Sequence, residues 1–398
     1  MASVCFYLQM HQPHRLRRYS VFDNDPAYFD DERNAEILQG IADRCYLPTT
    51  NRLAELIQST GGGFRVSISV TGVLLDQLQR HVPAVVKRLK SLAETGRVEF
   101  LGETYHHSLA FLYSRPEFRE QVDLHADAIE RLFGQRPRVF RNTELIYNND
   151  LAHYVEAMDR YAGVLAEGAD AVLAGRAPTA VFAPPHAEGL RLLLKHYRLS
   201  DDIAFRFSNR AWSEWPLTAE KFADWLTRTG AGDSDALCNL FMDMETFGEH
   251  QWAETGIFDF LAALPDQVLE AGGRFLTVSE ALATADAQDD PPEELDAPHM
   301  VSWADSERDL SAWLGNAMQS NALHELYKLE QPVKAADDPA LLEDWRRLST
   351  SDHVYYMCTK YFADGDVHRY FNPYESPYDS YINFMNVLDN LRRRAGVV

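Results

Sequence analysis

Cysteine is scarce in this chain: four in 398 residues, at positions 5, 45, 238 and 358. None belongs to a CxxC pair, so neither a disulfide framework nor a cysteine-held zinc is indicated, and buried, reduced thiols are expected. Long apolar runs are also missing, and no window approaches the length of a membrane span. Positive charge is in deficit: 38 Lys and Arg stand against 60 Asp and Glu, a formal net charge of −22. Such a surface repels phosphate backbones and anionic membranes, which points to a neutral ligand. The opening MASVCFYLQMHQPH lacks the basic start, apolar stretch and small-residue cleavage site of a secretory leader, so a cytoplasmic protein is expected. No GxGxxG follows the first apolar run and no HExxH or HxxxH lies on a helical pattern, which removes the dinucleotide fingerprint and the helix-borne zinc motif.

What is present is enough apolar material for a large core: 46% of the chain is hydrophobic and 12% aromatic. Strand-like runs recur through the first two-thirds: SVCFYLQM from Ser3, FRVSISV from Phe64, RVEFLGE from Arg97, PRVFRNTE from Pro137, DIAFRF from Asp202, ALCNLFMD from Ala236 and RFLTVS from Arg274. Between them lie helical patterns such as LLDQLQRHVPAVVKRLKSLAETG and YSRPEFREQVDLHADAIERLFG, with apolar residues three and four apart and Gly at the end. Strand alternating with helix predicts a parallel sheet, and seven or so units favour a β/α barrel over residues 1–285. An acidic, Pro-rich stretch, TADAQDDPPEELDAPH from Thr284, reads as a linker to a helical C-terminal domain over 286–398.

The strand ends carry the chemistry. The first ends in His11, Gln12 and His14; the third in Glu103, His106 and His107; another in Arg141, Glu144 and Tyr147; and DMETFGEH holds Asp243, Glu245 and His250. On an extended chain Asp243 and Glu245 would point the same way. In a parallel barrel all these ends converge on one mouth. Two chemistries fit it. His11, His14, His106, His107 and His250 with Asp243 could hold zinc, as in a metal-dependent deacetylase or mannosidase, although the ligands would come from several separate ends. Alternatively Glu144 and Asp243 flank a glycosidic bond, one ionised as nucleophile and one protonated as acid, a pair for which a mere glycan-binding module has no use. Trp212, Trp215, Trp303 and Trp313 are candidate platforms for the apolar face of a sugar ring; Trp303 sits where the helical part begins, and Trp313 equally fits a helix core.

With these motifs in hand, the chain resembles glycoside hydrolase family 57. Five ordered segments carry the resemblance: HQP at His11, GRVEFLGETYHHSL from Gly96, FRNTELIYNN from Phe140, DMETFGEH from Asp243 and LTVSE ending at Glu280. SWADSERDLSAWLGN and DGDVHRYFNPYESPYDSYI extend it through the helical part. The resemblance implies an incomplete (β/α)7 barrel followed by a C-terminal α-helical bundle that contributes to the substrate cleft. It implies retaining action on α-glucans of the short α-amylase type, with 4-α-glucanotransferase or branching activity as alternatives. Glu144 would be the nucleophile and Asp243 the acid/base, with carboxyls roughly 5–5.5 Å apart and no metal or cofactor. His11, Glu103, His106, Trp212, Glu245, His250 and Trp303 would contact sugar, and Arg141 would keep Glu144 ionised.

Overall fold

The computed structural model describes residues 3–229, 236–287, 291–360 and 372–397. Its strands are β1 (Ser3–Met10), β2 (Val66–Val70), β3 (Val98–Phe100), β4 (Val139–Arg141), β5 (Gly163–Glu167), β6 (Val181–Phe182), β7 (Arg191–Lys195), β8 (Leu237–Asp243) and β9 (Arg274–Leu276). In the first sheet β1 is the hub. One edge pairs in parallel with β8 from Ser3↔Leu237 to Gln9↔Asp243, and the other with β9 at its start and β2 at its end. β3 extends β2. In the second sheet β4, β5 and β7 run parallel, and β6 returns antiparallel on β7.

The sheets curl until their margins meet. Beyond β3, Gly102 N–H donates to Val139 O at 2.9 Å and Arg141 N–H to Gly102 O at 2.7 Å. At the opposite margin, His196 N–H donates to Asn239 O at 2.8 Å, and Asn239 Nδ2 to Leu194 O at 2.9 Å. The resulting strands are buried on both faces, which is why they read as continuous apolar runs. Alternate residues separate two environments. Cys5, Tyr7, Leu101, Val139, Leu165, Leu193 and Phe241 pack together inside the curl. Their neighbours Phe6, Leu8, Ile68, Leu240 and Met242 on one side, and Phe140, Val164, Leu192 and Leu194 on the other, pack outward beneath helices.

The helices obey their end signals. In helix Arg115–Phe133, Ser114 Oγ accepts from Glu117 N–H, Pro116 occupies the first turn and Gly134 closes it at φ 70°. Its buried face, Phe118, Val122, Ala126, Ile129 and Phe133, follows the three-and-four spacing. The long pattern from Leu74 is two helices, Gly72–His81 and Pro83–Glu94, because Pro83 cannot continue the first and Val82 turns to φ −137°, ψ 60°. LTVSE is a helix start: Thr277 Oγ1 accepts from Glu280 N–H, and Glu280 returns the bond to the Thr277 backbone.

Three sequence expectations need correction. DIAFRF is not a strand; Tyr197–Asp201 is α-helical and Asp202–Arg206 a π-helical turn. Ile203, Ala204 and Phe207 face the core while Phe205 is 57% exposed, a helical spacing rather than an alternating one. Two strands, GVLAE of β5 and RLLLK of β7, lie where none was read. The stretch 284–299 is not a loose linker. Its beginning completes helix Val278–Asp286, Glu294 bridges Ala183, and Leu295 and Ala297 are buried in the core beneath the second sheet; residues 288–290 lie outside the described ones.

Beyond residue 300 the described elements are helices, among them Ala317–Lys328, Pro339–Leu348 and Pro377–Arg394. Their core of Leu326, Val333, Trp345, Phe384 and Leu388 also takes in Leu16, Tyr19 and Tyr28 from the chain start. Trp313 is fully buried with Leu109, Ile146 and Val354, a core residue and no platform. The first eight residues of DGDVHRYFNPYESPYDSYI, 364–371, fall outside the described residues. No described helix is long and apolar enough to cross a membrane, and the four cysteines are buried thiols.

Candidate active site

The alternation that fills the curl with apolar residues has a consequence at the C-terminal strand ends. Two residues beyond Tyr7, Leu101, Val139, Leu165, Leu193 and Phe241 come Gln9, Glu103, Arg141, Glu167, Lys195 and Asp243. Every one is polar, and by period two every one faces the same interior. A layer of amide, acid and cation thus caps an apolar floor, where charges interact far more strongly than in water.

Glu144 follows β4 in a tight turn, and its carboxylate is held at both oxygens. His107 Nε2 lies 2.7 Å from Oε1, and Trp303 Nε1–H donates to Oε2 at 2.6 Å. On its other side His107 Nδ1 meets Glu103 Oε2 at 3.4 Å, so the imidazole stands between two carboxyls. Burial opposes charge on that ring, yet bonds to Glu103 and Glu144 raise it to about 9, so it is an imidazolium with both nitrogens donating. Burial likewise pushes Glu144 up, but the His107 bond and charge, with Arg141 and the Trp303 bond, hold it below the usual glutamate range. Glu103 is also held low against its burial, by His107, Arg141 and His125. Arg141 is buried; it donates to Gln9 Oε1, and its guanidinium lies 4.9 Å from the centre of the Trp303 ring.

This arrangement is strained. His107, Glu144 and Leu145 have φ of 50°, 56° and 51°, a left-handed region costing a non-glycine residue about 1–3 kcal/mol. The segment beyond residue 300 holds both Glu144 and His107 there. Trp303 N–H donates to Glu144 O at 3.2 Å, and Ser351 N–H to His107 O at 2.9 Å.

Asp243, at the end of β8, has the opposite environment. Burial and the negative charge of Glu144 raise it well above the usual aspartate range, against Arg141, Lys195 and His107. Glu245 is raised too, by burial and by Asp243. The strand stops at Asp243 and a 3-10 turn, Met244–Thr246, follows, so the two acids are not aligned as on an extended chain. Tyr46 OH donates to Glu245, from a π-helical turn at Ala42–Tyr46 of the kind often found at functional sites.

His11 stacks on His107 with ring centres 4.0 Å apart. Its Nδ1 lies 2.9 Å from Thr71 Oγ1 and its Nε2 2.8 Å from Asp352 Oδ2. Those partners fit a neutral ring that accepts from Thr71 and donates to Asp352, a tautomer assigned from the network. Burial and the charge of His107 push His11 down, whereas Asp352 is held low despite burial by the rings of His11 and His107. His11, His107 and Asp352 have donor atoms within 4.8 Å of one another and could hold a metal ion, but each nitrogen already serves a hydroxyl or a carboxyl.

The structure therefore brings together His11, Glu103, Arg141, Glu144, Asp243, Glu245 and Trp303. His250 adjoins them through its N–H, which donates to Glu245 O at 2.8 Å, and burial pushes its ring down to about 4. His106 is placed elsewhere: its Nε2 lies 3.7 Å from Glu343, and its neighbour His107 takes the position by Glu144. Trp212 packs edge-to-face on Trp225 against the core under the first sheet. Trp303, half-buried, is a hydrogen-bond donor to Glu144 flanked by cations. Sequence reasoning passed over Gln9, Glu167, Lys195 and Asp352; the signal for the first three was the polar residue ending an alternating run, available once β5 and β7 are recognised as strands.

Parallel strands alternating with helices, curled so that polar strand ends share one mouth, define an α/β fold built on a curled, barrel-like parallel sheet. The chain matches the model of Glycosyl hydrolase family 57 over residues 5–297, and it belongs to that family; it is a glycoside hydrolase. A curated protein of Methanocaldococcus jannaschii described as "Putative alpha-amylase" is 37% identical over 399 residues, covering 97% of this chain and 83% of that protein. The crystal structure of a GH57-type branching enzyme from Pyrococcus horikoshii superposes with TM-score 0.68 at 13% identity, over 100% of this chain and 95% of the other. A 4-alpha-glucanotransferase from Thermococcus litoralis gives 0.63 at 14% identity over 99% of this chain, which spans only 60% of that enzyme. At such identities the two structures speak for the fold alone.

Proposed function

We propose that the chain is a retaining, α-amylase-type enzyme that cleaves α-1,4 linkages of a glucan or maltooligosaccharide by double displacement, Glu144 being the nucleophile and Asp243 the acid/base. One observation carries this: two half-buried carboxyls in one mouth are driven in opposite directions, Glu144 down and Asp243 up. In the first step Glu144 attacks the anomeric carbon, while Asp243 gives its proton to the departing glycosidic oxygen. In the second, ionised Asp243 takes a proton from water, whose oxygen attacks the same carbon and breaks the ester to Glu144. His107 and Trp303 fix the attacking carboxylate, and His11, Glu103, Glu245 and His250 surround the space where sugar hydroxyls would bind. The names of the similar enzymes support an α-glucan substrate, and transfer to a sugar hydroxyl in place of water is the neighbouring outcome. We read residues 1–285 as an incomplete (β/α)7 barrel and 286–398 as a helical domain that completes the cleft, in a cytoplasmic protein. Following the first-formed anomer by NMR on maltoheptaose tests the mechanism. An α-anomer is expected, and a β-anomer would mean inversion, with carboxyls some 6.5–9.5 Å apart. Longer products in place of short ones would indicate transfer.

A further inference from the structure

One arc of the mouth has no part in that scheme. β5 and β7 lie between β4 and β8, and their last residues, Glu167 and Lys195, are cross-strand partners in register. Lys195 Nζ is buried 3.1 Å from Asp201 Oδ1 and 3.7 Å from Glu167 Oε2. Arg308 closes the set, 2.7 Å from Glu167 Oε2 and 3.0 Å from Asp201 Oδ2. Lys195 Nζ also stands 5.3 Å from the centre of the Trp303 ring, which Arg141 approaches as well. Buried tetrads of this kind are poor devices for stability, since apolar replacements often serve as well, so a task in the site is the better explanation.

We propose that Lys195 is a positioning residue: clamped by Asp201 and Glu167, which Arg308 holds in turn, it braces Trp303, whose indole N–H fixes Glu144, and it sets a positive charge beside Asp243. This role rests on the catalytic assignment of Glu144 and Asp243. The groups in the field of Asp243 are Glu144, Arg141, Lys195, His107, Tyr7 and Glu245, and those facing Lys195 are Asp201, Glu167 and Trp303. Among them Arg141, Lys195 and His107 favour the ionised form of Asp243, the form needed when water is deprotonated.

The test is the pH profile of kcat/KM on maltoheptaose for the wild type, Lys195→Met and Lys195→Arg. Removing the cation should let Asp243 keep its proton longer, so the alkaline limb of Lys195→Met should move up by about one pH unit. Its kcat should fall more than its KM rises, and Lys195→Arg should return the limb towards the wild type. A limb that does not move overturns the proposal, whether or not activity falls, because lost packing alone leaves the titration in place. Should Lys195→Met fail to fold by circular dichroism, Arg308→Gln carries the test. It removes the outer cation while keeping Lys195, and must shift the limb the same way by less; an unmoved limb again overturns it. A wild type silent on maltoheptaose would overturn the catalytic assignment and this role together, whereas an active wild type with unmoved variants overturns this role alone.

Discussion

The two halves of the mouth are chemically opposite although each centres on a half-buried acid. Around Glu144 stand an imidazolium, a guanidinium and an indole donor; at Asp243 burial and the charge of Glu144 outweigh Arg141, Lys195 and His107, and a second carboxyl, Glu245, lies close by. Burial penalises both anions alike, so neighbours decide the outcome, and they decide it oppositely. The halves also differ in origin. Asp243 and Glu245 lie in one short segment after β8, whereas the Glu144 half is assembled from β4, the turn after β3, and Trp303 and Ser351 of the helical region. A carboxylate kept ionised in a dry site needs donors from several elements, while a carboxyl kept protonated needs little more than burial and a like charge.

Removing each acid breaks this comparison most sharply. Glu144→Gln keeps the shape and loses the proposed nucleophile, and turnover of maltooligosaccharides should fall about 10⁴-fold or more. Azide added to Glu144→Gly should instead yield a β-glycosyl azide, identified by NMR. Asp243→Asn should lower turnover by roughly 10²- to 10⁴-fold, with oligosaccharide binding by calorimetry kept within about tenfold. Near-native turnover in that variant would remove Asp243 from the acid role.

The Glu144 half should also be visible in stability. His107 is raised from 6.5 to about 9 in the fold, so its bonds contribute fully below pH 6.5, and their contribution is lost as pH rises through about 9. At 1.36 kcal/mol per unit this amounts to about 3 kcal/mol. Denaturant midpoints should drop between pH 7 and 10 in the wild type, and His107→Gln should flatten that slope. An equal slope in both proteins would mean the imidazolium is not present.

How much of this was legible follows the same division. Glu103, Arg141 and Asp243 end short apolar runs, so their common face could be read from period two once those runs are taken as strands. The choice between His106 and His107 could not, because it is made by the backbone reversing at His107 to φ 50°, and two adjacent histidines carry no mark of it. RLLLK of β7 reads equally as part of a helix, which hid Lys195, and the supposed strand DIAFRF placed Trp212 at a strand end where it does not lie. Asp352 reaches His11 across 341 positions of sequence from a helical segment, a contact that no local pattern encodes.

Trp303 offers the smallest and sharpest test. As a platform it would bind sugar, and its loss would raise KM; as a donor it orients Glu144, and its loss would lower kcat. Trp303→Phe separates the two, because phenylalanine keeps an aromatic face for the sugar, Arg141 and Lys195 but has no N–H for Oε2. A hydrogen bond to a charged group contributes about 1.5–3 kcal/mol, and His107 still holds Oε1, so the fall in kcat should lie near the lower end, about tenfold, with KM little changed. The sign of the pH effect is fixed as well. The indole bond favours ionised Glu144, so removing it must raise the pKa of that acid and move the acid limb of kcat/KM upward, by less than the loss of the His107 imidazolium would. A variant with raised KM and an unmoved acid limb would return Trp303 to the role of sugar platform, and would leave the charge on Glu144 to His107 and Arg141.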